Sequence, residues 1–278
     1  MKALRTRAIS AVIFVALIVG GLLGGPYPFL ALFTVVTAWC LVEFLKLVLD
    51  RYQRRDRVRI GLGVALGLVP HLIASAVLLG WVPKREDLLA AALLGFFPVV
   101  FLIFVYELFA ASKRPIENVA MLFTGVIYIG APFAVLDYIA YQSGRFDWQV
   151  VLGILLLTWL NDTGAYLAGS NFGRHKLFPR ISPNKTWEGF IGGAIVVMAC
   201  SQLLALWLDV LRAVDWLALG IIVAVFGSIG DLVESMLKRS INVKDTGSAL
   251  PGHGGLLDRF DAFIFLLPFA AAYLIFVR

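Results

Sequence analysis

Apolar runs long enough to cross a lipid bilayer recur nine times along the chain, at roughly 8–24, 28–49, 60–82, 88–110, 118–141, 149–169, 189–209, 214–236 and 256–277. A helix crossing the hydrocarbon core needs about 20 mostly apolar residues. In that solvent every backbone N–H and C=O must be paired within its own segment, so isolated runs of this length can only be helices. The sequence therefore predicts an all-α, polytopic integral membrane protein with about nine transmembrane helices. Mean hydropathy is +0.89 and only 15% of the residues are charged, which leaves little chain for a soluble domain. The first run follows Lys2, Arg5 and Arg7 as a signal peptide would, but Gly24-Gly25-Pro26-Tyr27-Pro28 is a poor cleavage site and eight further runs follow, so it reads as a retained helix.

Orientation follows from where Lys and Arg fall in the short polar segments, because basic loops are retained on the cytoplasmic side. With the N-terminus inside, the inner segments carry 18 basic residues and the outer ones 5. This predicts a multi-pass protein of the cell (inner) membrane, with an internal N-terminus and both long polar loops, 170–189 and 237–257, facing the cytoplasm. The net charge of +6 does not point to nucleic acid, since the basic residues flank the spans and form no single amphipathic face. Anionic lipid headgroups are the better partner. Cys40 and Cys200 lie inside predicted spans and read as small apolar fillers.

Residues 1–145 read as membrane scaffold and 146–278 as the region that carries chemistry. Glu43, Glu107 and Asp137 lie in the early spans, where a charge is costly, and pairing or interfacial placement is the reading for them; Glu43 has Lys46 one turn away. His71, beside Pro70, reads as a packed or hydrogen-bonded histidine at a kink. The basic run from Arg51 to Arg59 reads as a lipid-facing anchor. No internal repeat is evident, which disfavours the repeat-built transporters.

The sixth run ends in a polar helical pattern, Thr158, Asn161, Asp162, Thr163 and Tyr166. The loop after it contains Gly173-Arg174-His175-Lys176 and Ser182-Pro183-Asn184-Lys185-Thr186-Trp187-Glu188-Gly189. Pro and Gly there suit turns, and hydroxyls, an amide and cations beside a helix start compose an anion site. Asp231, Glu234, Ser235 and Lys238 fall at i, i+3, i+4 and i+7, which puts all four on one helix face. Asp258 and Asp261 are one turn apart, a spacing that suits a shared cation. The loop joining the last two spans reads Lys238-Arg239, Lys244-Asp245 and then a glycine-rich stretch through His253, Gly254 and Gly255, where backbone N–H groups can approach a ligand closely. Each acid at the membrane centre costs roughly 2.5–3.5 kcal/mol on insertion scales. Lys238, Arg239 and Arg259 could offset that as plain ion pairs; a hard divalent cation held together with substrate phosphates does the same.

The stretch from Ser235 through Lys238-Arg239, Lys244-Asp245-Thr246-Gly247 and Leu250-Pro251-Gly252-His253-Gly254-Gly255 to Asp258-Arg259-Phe260-Asp261 resembles the signature of the phosphatidate cytidylyltransferases, or CDP-diacylglycerol synthases. Asn161-Asp162 with Ser182 to Gly189 is similar to that family's second common segment. The resemblance implies transfer of CMP from CTP to phosphatidic acid, giving CDP-diacylglycerol and pyrophosphate. It also implies Mg2+, with a second cation an open alternative, on Asp231, Asp258 and Asp261. Lys238, Arg239, Lys244, Asp245, His253 and Arg259 would form the catalytic set. Asn161, Asp162, Lys176, Ser182, Asn184, Lys185, Thr186, Glu188, Ser235, Gly254 and Gly255 would bind substrate. No general base is required, since phosphatidate is already ionised, which leaves His253 as a hydrogen-bond donor to phosphate or a residue that orders the loop. A homodimer is the expected assembly. A CTP-dependent polyprenol or dolichol kinase shares the metal and nucleotide but needs a base for its alcohol. A transporter of anionic lipid or solute would bind near the midplane.

Overall fold

A computed structural model describes residues 2–49, 57–81, 98–110, 112–247 and 254–276, with side chains from residue 9 onward. Within these residues the chain forms nine helices: α1 (Lys2–Leu23), α2 (Pro26–Leu49), α3 (Arg57–Leu78), α4 (Pro98–Phe109), α5 (Pro115–Ala140), α6 (Gln149–Phe172), α7 (Trp187–Trp207), α8 (Ala213–Ser240) and α9 (Leu257–Phe276). Seven of them, α2, α3 and α5 to α9, are long and apolar enough to cross a membrane; the described apolar lengths of the other two, Ile9–Leu23 and Pro98–Phe109, are shorter. The chain is a multi-pass membrane protein, and the helices coincide with the apolar runs because length and hydropathy alone set them. The runs at 51–56 and 84–85, part of the fourth predicted span, and His253 lie outside the described residues.

Two helices carry a π turn, Val126–Gly130 within α5 and Val223–Gly227 within α8. A π turn inserts a residue and rotates everything after it about the helix axis. In α8 it lies just before Ser228 and Asp231, so it sets the direction in which the polar stripe of that helix points.

The chain forms two compact units, Met1–Pro28 with Ile139–Arg278, and Phe29–Tyr138. The first holds α1 and α6 to α9. Phe14 of α1 packs on Trp159 of α6 and on Phe260 of α9, with ring centroids 6.4 and 5.8 Å apart. Phe226 of α8 stacks on Phe269 of α9 at 3.6 Å. Helix α8 approaches α9 closely at Gly230, where a Cβ would lie 2.6 Å from the Phe265 Cβ. Small residues at such crossings let backbones meet where lipid offers no hydrophobic drive.

The second unit buries the early polar residues against one another. The Arg59 guanidinium pairs with Glu107, and Asn118 Nδ2 donates to Glu107 Oε2 at 3.1 Å and to Ser112 Oγ at 2.8 Å. His71 Nδ1 lies 2.8 Å from Asp137 Oδ2, Ser75 donates to the same oxygen at 3.1 Å, and His71 Nε2 is 3.0 Å from Thr34 Oγ1. Pairing is thus what holds Glu107 and Asp137, and a hydrogen-bonded role is what holds His71. Glu43 accepts from Trp39 Nε1 at 3.2 Å, one turn back along α2. Arg59, expected as part of a lipid-facing anchor, is instead fully buried in this network. Cys40 lies within α2 and Cys200 within α7.

Candidate active site

The segment between α6 and α7, expected as a turn-rich loop, folds into an antiparallel hairpin of β1 (Lys176–Phe178) and β2 (Ser182–Thr186), with Lys176 opposite Thr186 and Phe178 opposite Ser182. Pro183 is tolerated because a two-stranded ribbon has free edges on both sides. Glu188, in the first turn of α7, fastens the hairpin's base: its carboxylate accepts from the backbone N–H of Arg174 and His175, and lies 2.6 Å from His175 Nδ1. Thr186 caps α7, its hydroxyl accepting from Gly189 N at 3.1 Å. Arg239 ties the hairpin turn to α8 through the Ile181 carbonyl at 3.4 Å.

Fastened in this way, the hairpin and the start of α7 form one wall of a cavity of about 630 Å³ whose other walls are α6, α8 and the start of α9. Of the residues expected at a site, Asn161, Asp162, Asn184, Lys185, Thr186, Asp231, Lys238, Asp258, Arg259 and Asp261 line it. They come from four elements: Asn161 and Asp162 from α6, Asn184 to Thr186 from β2, Asp231 and Lys238 from α8, and Asp258, Arg259 and Asp261 from α9. Lys176, Ser182, Glu188, Ser235, Arg239, Lys244, Asp245, Gly254 and Gly255 do not line it. Lys176, Lys244 and Asp245 are exposed. Glu188 and Arg239 hold the hairpin, and Ser235 donates to Asp231 Oδ1 at 3.3 Å.

The charges inside are arranged in pairs. Lys185 Nζ lies 2.6 Å from Asp231 Oδ2 and 3.4 Å from the Ser228 carbonyl. Lys238 Nζ sits between Glu234 Oε2 at 2.6 Å and Asp258 Oδ1 at 2.8 Å. The second oxygen of Asp258 accepts from the backbone N–H of Thr246 at 3.0 Å and of Gly255 at 2.8 Å, so one carboxylate holds both ends of the glycine-rich loop. Gly254 fits beside it with φ +83°, a left-handed conformation that disfavours side chains; a Cβ there would lie 3.0 Å from Asp258 Oδ2. Asp261 is buried, accepts from Ala262 N at 2.7 Å and faces Asp231 and Glu234. Asp162 lies within electrostatic reach of Asp231, Lys185 and Arg259.

Asp231, Asp258 and Asp261 are therefore not gathered into one cluster, and among the described residues no three acidic, His or Cys side chains converge as metal ligands. Lys185 pairs with Asp231 and Lys238 with Asp258. The donor set nevertheless suits a hard cation. Asp231, Asp261 and Glu234 offer carboxylate oxygens, and Glu234 Oε1, buried beside Asp261, meets no donor among the described residues.

Sequence reasoning left Glu234 on the polar face of α8 and Tyr166 in the polar pattern of the sixth run without assigning either to the site, and missed Ser228, Ser170 and Phe190 in the cavity wall. Asp162, Tyr166 and Ser170 repeat every four residues, so a helical stripe extended from Asp162 would have found Tyr166 and Ser170. Nothing local marks Ser228 or Phe190.

The cavity of this membrane protein lies at the ends of its helices and sets paired acids and bases beside apolar wall residues. The chain belongs to the cytidylyltransferase family, whose pattern it matches over residues 5–277. It is 35% identical to the phosphatidate cytidylyltransferase of Staphylococcus saprophyticus over 267 residues, 95% of this chain and 94% of that protein. To the protein of the same name from Staphylococcus aureus strain COL it is 32% identical, across 95% of this chain and 96% of that one. The Staphylococcus epidermidis protein of that name is 38% identical over 205 residues, 72% of this chain and 77% of its own length.

Proposed function

We propose that the cavity is where this chain transfers CMP from CTP to phosphatidic acid, giving CDP-diacylglycerol and pyrophosphate. The observation that carries the reading is the meeting, in one cavity, of Lys185, Lys238 and Arg259 with Asp162, Asp231, Asp258 and Asp261. Relatives of full length and the same name support the choice of substrates.

A phosphate oxygen of phosphatidate attacks the α-phosphorus of CTP. A P–O bond to the lipid phosphate forms, the bond to the β-phosphate's bridging oxygen breaks, and pyrophosphate departs with that electron pair. Two anions must be brought together, so the chain's main task is to neutralise and orient them. Lys185 of β2 and Arg259 of α9 both line the cavity and suit the phosphates. Asn161 and Asn184 offer amide donors and acceptors. Tyr166, Leu177 and Phe190 supply apolar surface on which the glycerol and upper acyl carbons can rest. Asp231 and Asp261, with Glu234 facing Asp261, would hold Mg2+, which when bound lowers the charge on the triphosphate and on the leaving group, while Asp258 is engaged by Lys238 and the loop N–H groups. The proton inventory needs no base, because the attacking oxygen is already ionised. Residues 146–278 form the catalytic region and 1–145 its scaffold. The balance of 18 inner against 5 outer basic residues supports a cavity that faces the cytoplasm from the inner membrane, and a homodimer is the expected assembly.

Purified protein given phosphatidic acid, CTP labelled at the β- or γ-phosphate and Mg2+ is expected to release labelled pyrophosphate and form CDP-diacylglycerol. Formation of CDP with the γ-phosphate on a polyprenol would replace this reading with the kinase.

A further inference from the structure

The two lysines of the cavity are held in different ways. Lys238 shares a helix with Glu234 and is clamped between Glu234 and Asp258, with the lysine side chain 13% exposed and the two acids 0% and 10%. Asp258 cannot leave without releasing Thr246 N and Gly255 N as well. Lys185 arrives from another element, β2, and crosses to Asp231 on α8 with the two side chains 26% and 37% exposed. An ion pair this open to water is held weakly. Its second contact, to the Ser228 carbonyl, is long at 3.4 Å. The ammonium stands on Oδ2 of a carboxylate whose Oδ1 accepts from Ser235 and whose acidic neighbours are Asp162 and Asp261, so a divalent cation drawn to these acids meets the ammonium at Oδ2.

We infer that Lys185 is an exchangeable counter-ion: its ammonium and a divalent cation compete for Asp231, and a bound triphosphate ends the competition by taking the ammonium onto its own phosphate oxygens. The inference rests on the nucleotide reading given above. An ammonium and a divalent cation on the same oxygens repel each other, so a cation alone binds against the lysine. A triphosphate gives Lys185 a stronger anionic partner within reach of the same cavity. Cation and nucleotide then favour each other's binding by the same factor, as linkage requires. Without nucleotide the lysine keeps the acids of the cavity partly neutral, and Lys238 stays where it is throughout.

Mn2+ binding to the full-length protein in detergent, followed by electron paramagnetic resonance with and without α,β-methylene-CTP, tests this. Lys185→Met should bind Mn2+ about tenfold more tightly than the unaltered protein in the absence of nucleotide, since one adjacent positive charge is gone. The tightening caused by the nucleotide analogue should shrink by the same factor. Asp231→Asn placed on Lys185→Met should remove the gain. A folded Lys185→Met protein, judged by its melting curve, that binds Mn2+ no better than the unaltered one overturns the exchange, while nucleotide-coupled Mn2+ binding in both leaves the nucleotide reading intact. Absence of Mn2+ binding in any form, with nucleotide present, overturns the cation reading and the exchange together. Should Lys185→Met fail to fold, Lys185→Gln makes the same test; failure of both to fold would make the pair structural and overturn the exchange.

Discussion

Buried charge is handled differently in the two compact units. In Phe29–Tyr138 the pairs are sealed: Arg59 and Glu107 are 1% and 2% exposed, and His71 and Asp137 are both at 0%. In the unit that holds the cavity, the Lys185–Asp231 pair is partly open and each partner faces a space that a ligand can enter. The same residue chemistry thus serves two ends. A sealed pair cannot trade partners without leaving a bare charge in a medium that does not solvate it. An open pair can, because water or a ligand compensates each partner as it moves.

Asp261→Asn puts the largest expected effect on the open side. Turnover should fall by about a thousandfold or more, as for loss of a central charge-stabilising group, while the melting temperature stays level or rises because a buried carboxylate has become neutral. A steep loss of folded protein instead would mean that Asp261 serves structure, and the contrast between the units would fail at that residue. On the sealed side, Arg59→Leu should destabilise by about 3–5 kcal/mol by leaving Glu107 uncompensated, read as the melting temperature in detergent. Arg59→Met combined with Glu107→Leu should recover most of that loss, and a benign single variant would break the claim that this pair is sealed. Glu188→Gln weakens the clamp on the hairpin that presents Asn184 and Lys185, and should lower kcat/KM for CTP by about tenfold through misplacement with little change in melting. A loss confined to the lipid substrate would relocate the hairpin's role. The smallest effect belongs to Arg114→Ala, which breaks an exposed pair with Glu117 and should change stability by less than about 1 kcal/mol.

Much of the candidate site was legible because it is written in helical spacing. The face of Asp231, Glu234, Ser235 and Lys238 and the turn between Asp258 and Asp261 follow from 3.6 residues per turn and hold in α8 and α9. The hairpin was not legible, since Ser182-Pro183 signals a turn by composition and becomes a strand only because β1 lies opposite it. The separate fates of the three aspartates were equally hidden. A shared cation and a set of lysine pairs satisfy the same sequence, and what separates them is which ammonium each carboxylate meets.

The sequence by itself determined the membrane helices, because apolar length against bilayer thickness leaves one solution for each run. It also determined which side chains share a helix face. Only the tertiary structure decided the partners: Lys185 with Asp231 across 46 positions, Arg59 with Glu107 across 48, and Asp258 with the N–H groups of a loop. Helix formation is a local matter of hydrogen bonds within a turn. A buried charge, in contrast, is satisfied by whichever group the packing brings within about 3 Å, and no local pattern in the chain records that distance.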